Sequence, residues 1–187
     1  MKLTATVRAS TKKSDMKQAR REGKIPAIFY STGEHNQQLI VDAAEFNAIL
    51  RQIKPGRLST TVFSIVINGT TKKAIIKDIQ YQLTTYRVSH IDFKELVDNV
   101  SVSLKVPIEC VGVAECIGVK LRGFLHQPMR HVNVECLPEH IPSQFEINVE
   151  NLEISQSKRL SDIVLPKGVK LLARMDEVVV AVSKRAT

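Results

Sequence analysis

The sequence lacks any apolar run long enough to cross a membrane. No segment approaches the roughly 20 uninterrupted apolar residues that a transmembrane helix needs. Residues 1–4 lead into polar sequence without the apolar core of a signal peptide. With 43% hydrophobic and 25% charged residues, the composition is that of a folded globular chain. The sequence therefore predicts a soluble, cytoplasmic protein that has no membrane partner.

Cysteine is also scarce, with three residues in a chain of 187. The count is odd and the chain is too long to depend on disulfide bonds, so we expect free thiols in a reducing compartment. Six potential zinc ligands nevertheless fall within 31 residues: Cys110, Cys116, His126, His131, Cys136 and His140. The cysteines lack the usual spacing of about two to four residues, and Cys136 alternates with Val132 and Val134 as a core residue does. We predict no metal or other cofactor, with a zinc-supported scaffold as a rival hypothesis.

Signals of catalysis are missing as well. The eight glycines are too scattered to form a phosphate-cradling loop or a dinucleotide-binding fingerprint. No pair of carboxylates stands in surroundings that would tune an acid and a base, and no motif joins a cysteine nucleophile to a base. We therefore expect a protein that is not an enzyme and has no small-molecule substrate.

Positive charge is present in excess, and the excess is confined to the first half. Residues 1–95 contain 16 Lys and Arg against 8 Asp and Glu, a net charge of +8, whereas residues 96–187 contain 11 of each, a net charge of zero. Seven of the nine aromatic residues also precede residue 95. Halves this different indicate two domains, residues 1–95 and residues 96–187, joined by a short hinge near residues 94–99.

The first half predicts a small β-barrel with two helices. Six segments have the composition of strands: residues 4–8, 26–30, 38–41, 60–67, 71–79 and 87–93. Asn68-Gly69 is a strong signal for a tight hairpin turn. Asp42 followed by Glu45 resembles a capping box at the start of a helix with an apolar stripe. Ser14 and Gly23 predict the caps of a shorter helix over residues 15–22.

The second half predicts an all-β domain. Apolar residues alternate with polar ones over residues 100–108, 132–136 and 145–149, as in half-buried antiparallel strands. The continuous apolar run at residues 178–182 predicts a more fully buried strand, and residues 161–163 predict one short helical turn. The predicted fold class is therefore mainly β with a few short helices.

The basic residues before position 25 carry the strongest functional signal. At helical spacing, five of them lie near one face, which has no carboxylate to neutralise it: Lys13, Lys17, Arg20, Arg21 and Lys24. Such a face is either solvated surface or a site for a polyanion. The charge excess of the whole domain favours phosphate binding, because Lys and Arg release condensed counterions. Since regular A-form RNA hides its major groove, the predicted target is structured RNA with an internal loop.

The last predicted strand of the first half adds a polar pair. Side chains alternate along a strand, so Ile91 and Phe93 are expected in the core while His90 and Asp92 point together to the other side. The pair either offers oriented polar groups to a partner or is a surface pair without consequence.

Several motifs together resemble a known family. Residues 20–30 (RREGKIPAIFY), 77–80 (KDIQ) and 90–93 (HIDF) are similar to the bacterial large-subunit ribosomal protein numbered twenty-five. Residues 134–142 (VECLPEHIP), 160–163 (LSDI) and 165–169 (LPKGV) match the order and spacing of the extra domain of its long form, the general stress protein Ctc family. The resemblance spans nearly the whole chain.

This resemblance implies a β-barrel that binds 5S ribosomal RNA at internal loop E, in the central protuberance of the large subunit, without a catalytic role. It implies RNA contacts by the following residues: Arg8, Lys13, Lys17, Arg20, Tyr30, Lys77, Gln80, His90 and Asp92. Two residues depart from the family pattern, Met16 where a short-form member has Ser and Ser31 where Gly is common. Met16 cannot make the hydrogen bond that a Ser offers at this position, and Ser31 affects the shape of the loop that follows Tyr30.

The second domain is expected to meet 23S rRNA and neighbouring ribosomal proteins, although no residue pattern identifies one of them. A rival hypothesis is a stress-associated interaction factor that works off the ribosome, using the neutral domain to meet a protein partner and the basic domain as an anchor.

Overall fold

The computed structural model describes residues 1–8, 13–31 and 35–184, and of Lys13 it describes the backbone alone. The chain divides into two compact units, Met1–Val100 and Ser101–Thr187. In the described ranges, no helix is long and apolar enough to span a membrane.

The first unit is a closed barrel, as predicted. Its elements are β1 (Lys2–Val7), α1 (Lys13–Arg21), β2 (Lys24–Tyr30), β3 (Gln37–Asp42), α2 (Ala43–Gln52), a 3-10 turn (Leu58–Thr60), β4 (Val62–Ile67), β5 (Thr70–Tyr81) and β6 (Val88–Glu95). The strands follow the order β1-β3-β2-β6-β5-β4, and β4 pairs back onto β1. The β1–β4 and β2–β6 pairs are parallel, and the other pairs are antiparallel.

Aromatic residues fill the barrel. Phe29, Phe63 and Phe93 are fully buried strand residues, and Phe46 joins them from α2. The rings of Phe63 and Phe93 meet edge to face, with centroids 6.4 Å apart and planes at 67°. This packing accounts for the four phenylalanines that precede position 95, since buried rings contribute much of the apolar area of a core.

Two local signals in the first unit are confirmed. Asn68 and Gly69 have φ values of 48° and 87°, the left-handed pair that a tight turn between β4 and β5 requires. The Asp42 carboxylate accepts hydrogen bonds from the backbone N–H groups of Ala44 and Glu45, at 2.8 and 3.0 Å, and so caps α2. Glu45 does not complete a reciprocal capping box, because its Oε1 accepts from the Thr4 N–H at 3.3 Å.

The second unit is mainly β. Its elements are β7 (Val102–Val111), α3 (Ile117–Lys120), β8 (Phe124–His126), β9 (His131–Cys136), a 3-10 turn (Pro138–His140), β10 (Phe145–Asn148), β11 (Ser157–Arg159), a 3-10 turn (Leu160–Asp162), β12 (Val169–Leu171) and β13 (Val178–Ser183). One sheet has the order β10-β7-β9-β12 and the other β11-β13-β8. The predicted alternation and the short helical turn are confirmed, while α3 was not predicted. The expectation of antiparallel strands is confirmed for the β7–β9 pair but is wrong for β10, which pairs with β7 in parallel.

The apolar run in β13 is only partly as expected. Val179, Val180 and Val182 are buried, but Val178 is 37% exposed. β13 is the central strand of its sheet, paired with β11 and β8. Val179 and Val180 are adjacent, so their side chains point to opposite faces of the sheet. Both faces are therefore covered at these residues, and the burial fades at the first residue of the strand.

The cysteines lie in separate surroundings. Cys136 is buried in the core, as its alternation with Val132 and Val134 predicts. The Sγ of Cys116, also buried, donates a hydrogen bond to the Leu152 carbonyl at 3.3 Å. Burial raises the pKa of the Cys110 and Cys136 thiols. In the described part of the chain, no three His, Cys, Asp or Glu residues are grouped as metal ligands would be.

Candidate nucleic-acid interface

The basic segment forms α1, but its start differs from the prediction. The helix covers Lys13–Arg21, whereas residues 15–22 were expected. Ser14 therefore lies inside the helix and is not its N-cap, and its hydroxyl donates to the Asp15 carboxylate at 2.9 Å. The helix packs on β2 with Ala19 buried, while Lys17 and Arg20 are exposed. Its packed side is thus apolar and its open side cationic.

Gly23 ends the helix region and directs the chain into β2. Its φ of +76° is left-handed, and a Cβ placed there would meet nothing within 4 Å, so glycine is needed for backbone conformation alone. The turn brings Glu22 Oε2 to 3.1 Å from Lys24 Nζ. The expectation that no carboxylate neutralises the basic face is therefore wrong for Lys24. The hydrogen bond from Lys24 lowers the pKa of Glu22.

A recess of about 650 Å³ opens beside α1. Its lining contains five cationic side chains and, among the described residues that form it, no acidic one: Lys17, Arg20, Arg21, Lys24 and Arg87. The remaining lining is neutral: Gly23, Ile25, Ala43, Asn47, Gln82 and Val88. We call this feature the cationic recess. The prediction that the α1 cations share one side is confirmed for the four predicted residues whose side chains the structure describes.

One of these cations is tied to the barrel. Arg20 Nε donates a hydrogen bond of 3.1 Å to the carbonyl of Ser89. The pairing of β5 with β6 slips at this point, from Gln80↔His90 to Tyr81↔Val88, so Ser89 is the extra residue of a β-bulge. A bulge leaves a residue outside the regular ladder, and the Ser89 carbonyl is thereby open to a side-chain donor. The bond holds the Arg20 guanidinium at the barrel wall.

The predicted polar residues of the strands lie next to this bulge, on the outside of the barrel. Ile91 and Phe93 are fully buried, so His90 and Asp92 face outward together, as predicted from strand alternation. Gln80 lies directly across from His90 on β5. We call Tyr30, Gln80, His90 and Asp92 the outer polar group.

The outer polar group is organised around the Asp92 carboxylate. Its Oδ1 lies 2.7 Å from His90 Nδ1, and its Oδ2 accepts a 3.4 Å hydrogen bond from the Tyr30 hydroxyl. The His90 Nδ1 atom makes no aligned hydrogen bond, so its contact with Asp92 is one of proximity. Burial, together with the nearby Asp92 charge, raises the pKa of Tyr30. The tyrosine therefore stays a neutral hydrogen-bonding group at physiological pH.

The strand register places Arg8 and Lys77 close to the cross-strand row that contains Asp92. The Arg8 guanidinium donates a hydrogen bond to the side chain of Gln38 on β3. Gln38 pairs with Ile28 on β2, and Ile28 pairs in turn with Asp92 on β6. Lys77 is exposed, at a second bulge where the β5–β6 register shifts between Ile76 and Asp78. The predicted contact through the Lys13 side chain lies outside the described part of the chain.

Sequence reasoning missed three residues of the recess, Asn47, Gln82 and Arg87. Asn47 follows the N-terminus of α2, and the other two lie at the ends of the loop between β5 and β6. Arg87 is a lone arginine in the sequence and belongs to no charge run, so no local pattern marks it. The barrel brings it to α1 through the β2–β6 pairing.

The closed barrel, the cationic recess and the second β unit define a two-domain β protein whose surface chemistry suits a polyanion. Comparison with known proteins agrees with this class. Residues 3–93 match the ribosomal L25p family, and residues 101–186 match the C-terminal domain of ribosomal protein TL5. The chain therefore belongs to the ribosomal L25p family, in its long form, and this is a family of ribosomal structural proteins, not of enzymes.

Relatives match over the full length. The large ribosomal subunit protein bL25 of Chlamydia abortus is 44% identical over 185 residues, which cover 99% of this chain and 100% of the relative. The proteins of the same name from Chlamydia caviae and Chlamydia pneumoniae are also 44% identical, with the same coverage. Both units of the chain are thus present in these relatives.

Proposed function

We propose that this protein is a structural component of the large ribosomal subunit in the cytoplasm, where residues 1–95 bind 5S rRNA at internal loop E in the central protuberance. The single observation that carries the proposal is the cationic recess, which gathers five basic side chains beside a helix and has no acidic residue in its described lining. The full-length similarity to proteins named as large-subunit components supports the ribosomal context.

The two polar surfaces have different tasks in this proposal. The recess cations attract phosphates, which supplies affinity but carries no sequence information. The outer polar group supplies directional donors and acceptors, with Asp92 accepting from base amines or holding His90 in position. Arg20 connects the two surfaces through Ser89. An irregular RNA stem with exposed base edges is the target that satisfies both.

The second unit has a different part in the proposal. Residues 96–187 carry no net charge, so their association with the ribosome depends less on general phosphate attraction. We assign them contacts to neighbouring ribosomal proteins and to 23S rRNA.

The test is a gel-shift titration of the full chain with two 5S rRNA transcripts. One transcript is intact, and in the other the internal loop E is replaced by continuous Watson–Crick pairs. We expect the intact RNA to bind at least roughly tenfold more tightly, about 1.4 kcal/mol. Equal affinity for the two transcripts would contradict the proposal. Sedimentation of the native protein away from large subunits would favour a role off the ribosome.

A further inference from the structure

The loop between β5 and β6 projects two large side chains that the barrel does not use. Leu83 is 92% exposed and Tyr86 is 81% exposed. Tyr86 also has a φ of +53°, a left-handed conformation that is unfavourable for a bulky residue. Strained backbone of this kind persists where the surrounding structure holds it, and it is concentrated at functional sites.

The surrounding loop holds this conformation through its own hydrogen bonds. The Gln82 N–H donates to the Arg87 carbonyl at 2.8 Å, and the Tyr86 N–H donates to the Gln82 carbonyl at 2.9 Å. The Thr85 hydroxyl donates to Gln82 Oε1 at 2.6 Å. The tip is therefore an ordered turn that displays an aromatic ring, and both of its ends, Gln82 and Arg87, line the cationic recess.

The lining of the recess combines cationic, neutral polar and apolar residues. Three cations come from α1, and Lys24 and Arg87 add two more from the start of β2 and the end of the β5–β6 loop. Asn47 and Gln82 contribute neutral amides, and Ile25 and Val88 contribute apolar surface. Since Gln82 Oε1 already accepts from Thr85, the amide NH₂ is the group of Gln82 that remains for a ligand. The cations suit phosphates, and the amides with the apolar surface suit a nucleobase. The recess volume of about 650 Å³ lies within the range of about 300–1,000 Å³ that ligand pockets occupy.

From this arrangement we propose that the β5–β6 loop captures one unstacked nucleotide of the bound RNA. The ring of Tyr86 stacks on the nucleobase, Gln82 donates to its edge, and Arg87 pairs with its phosphate. The inference rests on the proposed RNA-binding function and extends it, because it assigns recognition to residues outside the α1 face and the outer polar group.

Substitutions at Tyr86 test the stacking step with the full chain and intact 5S rRNA. Tyr86→Asn removes the ring while tolerating a left-handed φ, and Tyr86→Phe keeps a stacking surface as the matched control. We expect the Asn variant to bind roughly tenfold or more weakly with an unchanged salt slope, since stacking does not release counterions. The Phe variant should bind as the unaltered protein does.

A fluorescence measurement gives an independent readout, because the chain contains no tryptophan. Tyr86→Trp places a single reporter in the loop, and Phe124→Trp places one at an exposed position of the second unit. Intact 5S rRNA should quench the first reporter and leave the second largely unchanged. Equal quenching of the two reporters, or none of either, would overturn the inference.

The outcomes separate this inference from the proposed function. If Tyr86→Asn binds as tightly as the unaltered protein while Lys17→Ala binds more weakly, the loop inference fails and the RNA-binding proposal stands. If the unaltered protein does not distinguish the intact from the loop-replaced 5S rRNA, the proposed function fails first.

Discussion

Arg20 Nε and the Ser89 carbonyl oxygen lie 3.1 Å apart, in a hydrogen bond that joins residues separated by 69 positions. The bond fixes α1 to the bulge of β6, next to His90. Because the Nε–H is engaged, the proposed contact with an RNA phosphate falls to the two terminal nitrogens of the guanidinium. Arg20 therefore both positions the helix and presents donors, whereas a lysine carries its donors on one nitrogen and lacks the planar fork.

We expect Arg20→Ala and Arg20→Lys each to weaken 5S rRNA binding by about 1–3 kcal/mol, because lysine lacks the fork of donors. Fluorescence anisotropy of labelled RNA, titrated at several salt concentrations, measures the loss. Full retention of affinity by Arg20→Lys would show that charge alone matters at this position.

Lys17→Ala is expected to behave differently from the Arg20 variants. A lysine that contacts phosphate contributes counterion release, so its removal should reduce the slope of log affinity against log salt by roughly one. Lys54→Ala is the control, since it removes one charge from the same unit outside the described lining of the recess. If the two variants have the same salt slope, Lys17 makes no specific phosphate contact.

The raised pKa of Tyr30 has an optical signature. Spectrophotometric titration at high pH, taken as the difference between the unaltered protein and Tyr30→Phe, should place the Tyr30 phenolate above the ordinary value of 10.0. Burial and the Asp92 charge both favour the neutral phenol. Asp92→Asn should therefore move the transition to lower pH. No movement would mean that Asp92 does not act on Tyr30.

Substitutions at Asp42 test its contribution as the N-cap of α2. Asp42→Ala removes the acceptor for two backbone N–H groups and should lower the free energy of unfolding by about 1 kcal/mol. Asp42→Asn keeps an acceptor oxygen and should recover most of that loss. Urea denaturation of both variants provides the comparison, and equal stability of the two would argue against the cap.

Thiol reactivity gives a prediction for the second unit. Because burial raises the pKa of Cys110 from 9.0, the folded protein should be alkylated at this residue only as the pH rises beyond that value. The unfolded chain releases the thiol proton at lower pH than the folded chain does, so this residue makes the free energy of unfolding decrease with pH above about 9. Mass spectrometry after brief iodoacetamide treatment measures the first effect. The pH dependence of unfolding, compared with that of Cys110→Ala, measures the second.

Local chemistry explains which structural features the sequence could predict. The Asn68-Gly69 turn, the Asp42 cap and the core alternation of Ile91 and Phe93 all follow from residues close together in the chain, and all are present. The same holds for the cations of α1, since helical spacing alone brings them to one side.

Features that depend on strand register could not be predicted in this way. The bulge at Ser89 exists only in the pairing of β5 with β6, and it creates the acceptor for Arg20. Arg87 joins the recess because β6 lies beside β2 in the barrel. The start of α1 was predicted wrongly because serine is a common N-cap residue. Ser14 instead lies inside the helix, and its hydroxyl donates to the neighbouring Asp15 carboxylate.

The parallel pairing of β1 with β4 and of β2 with β6 has a consequence during synthesis of the protein. Lys2 pairs with Ser64, and Ala27 pairs with Ile91. The parallel partners of β1 and β2 are therefore synthesised about 60 residues after these strands. A nascent chain that ends before Arg87 lacks both Arg87 and Ser89, and with them part of the recess lining and the hydrogen-bond acceptor for Arg20. The complete cationic recess therefore forms only after the residues that precede and begin β6 have been synthesised.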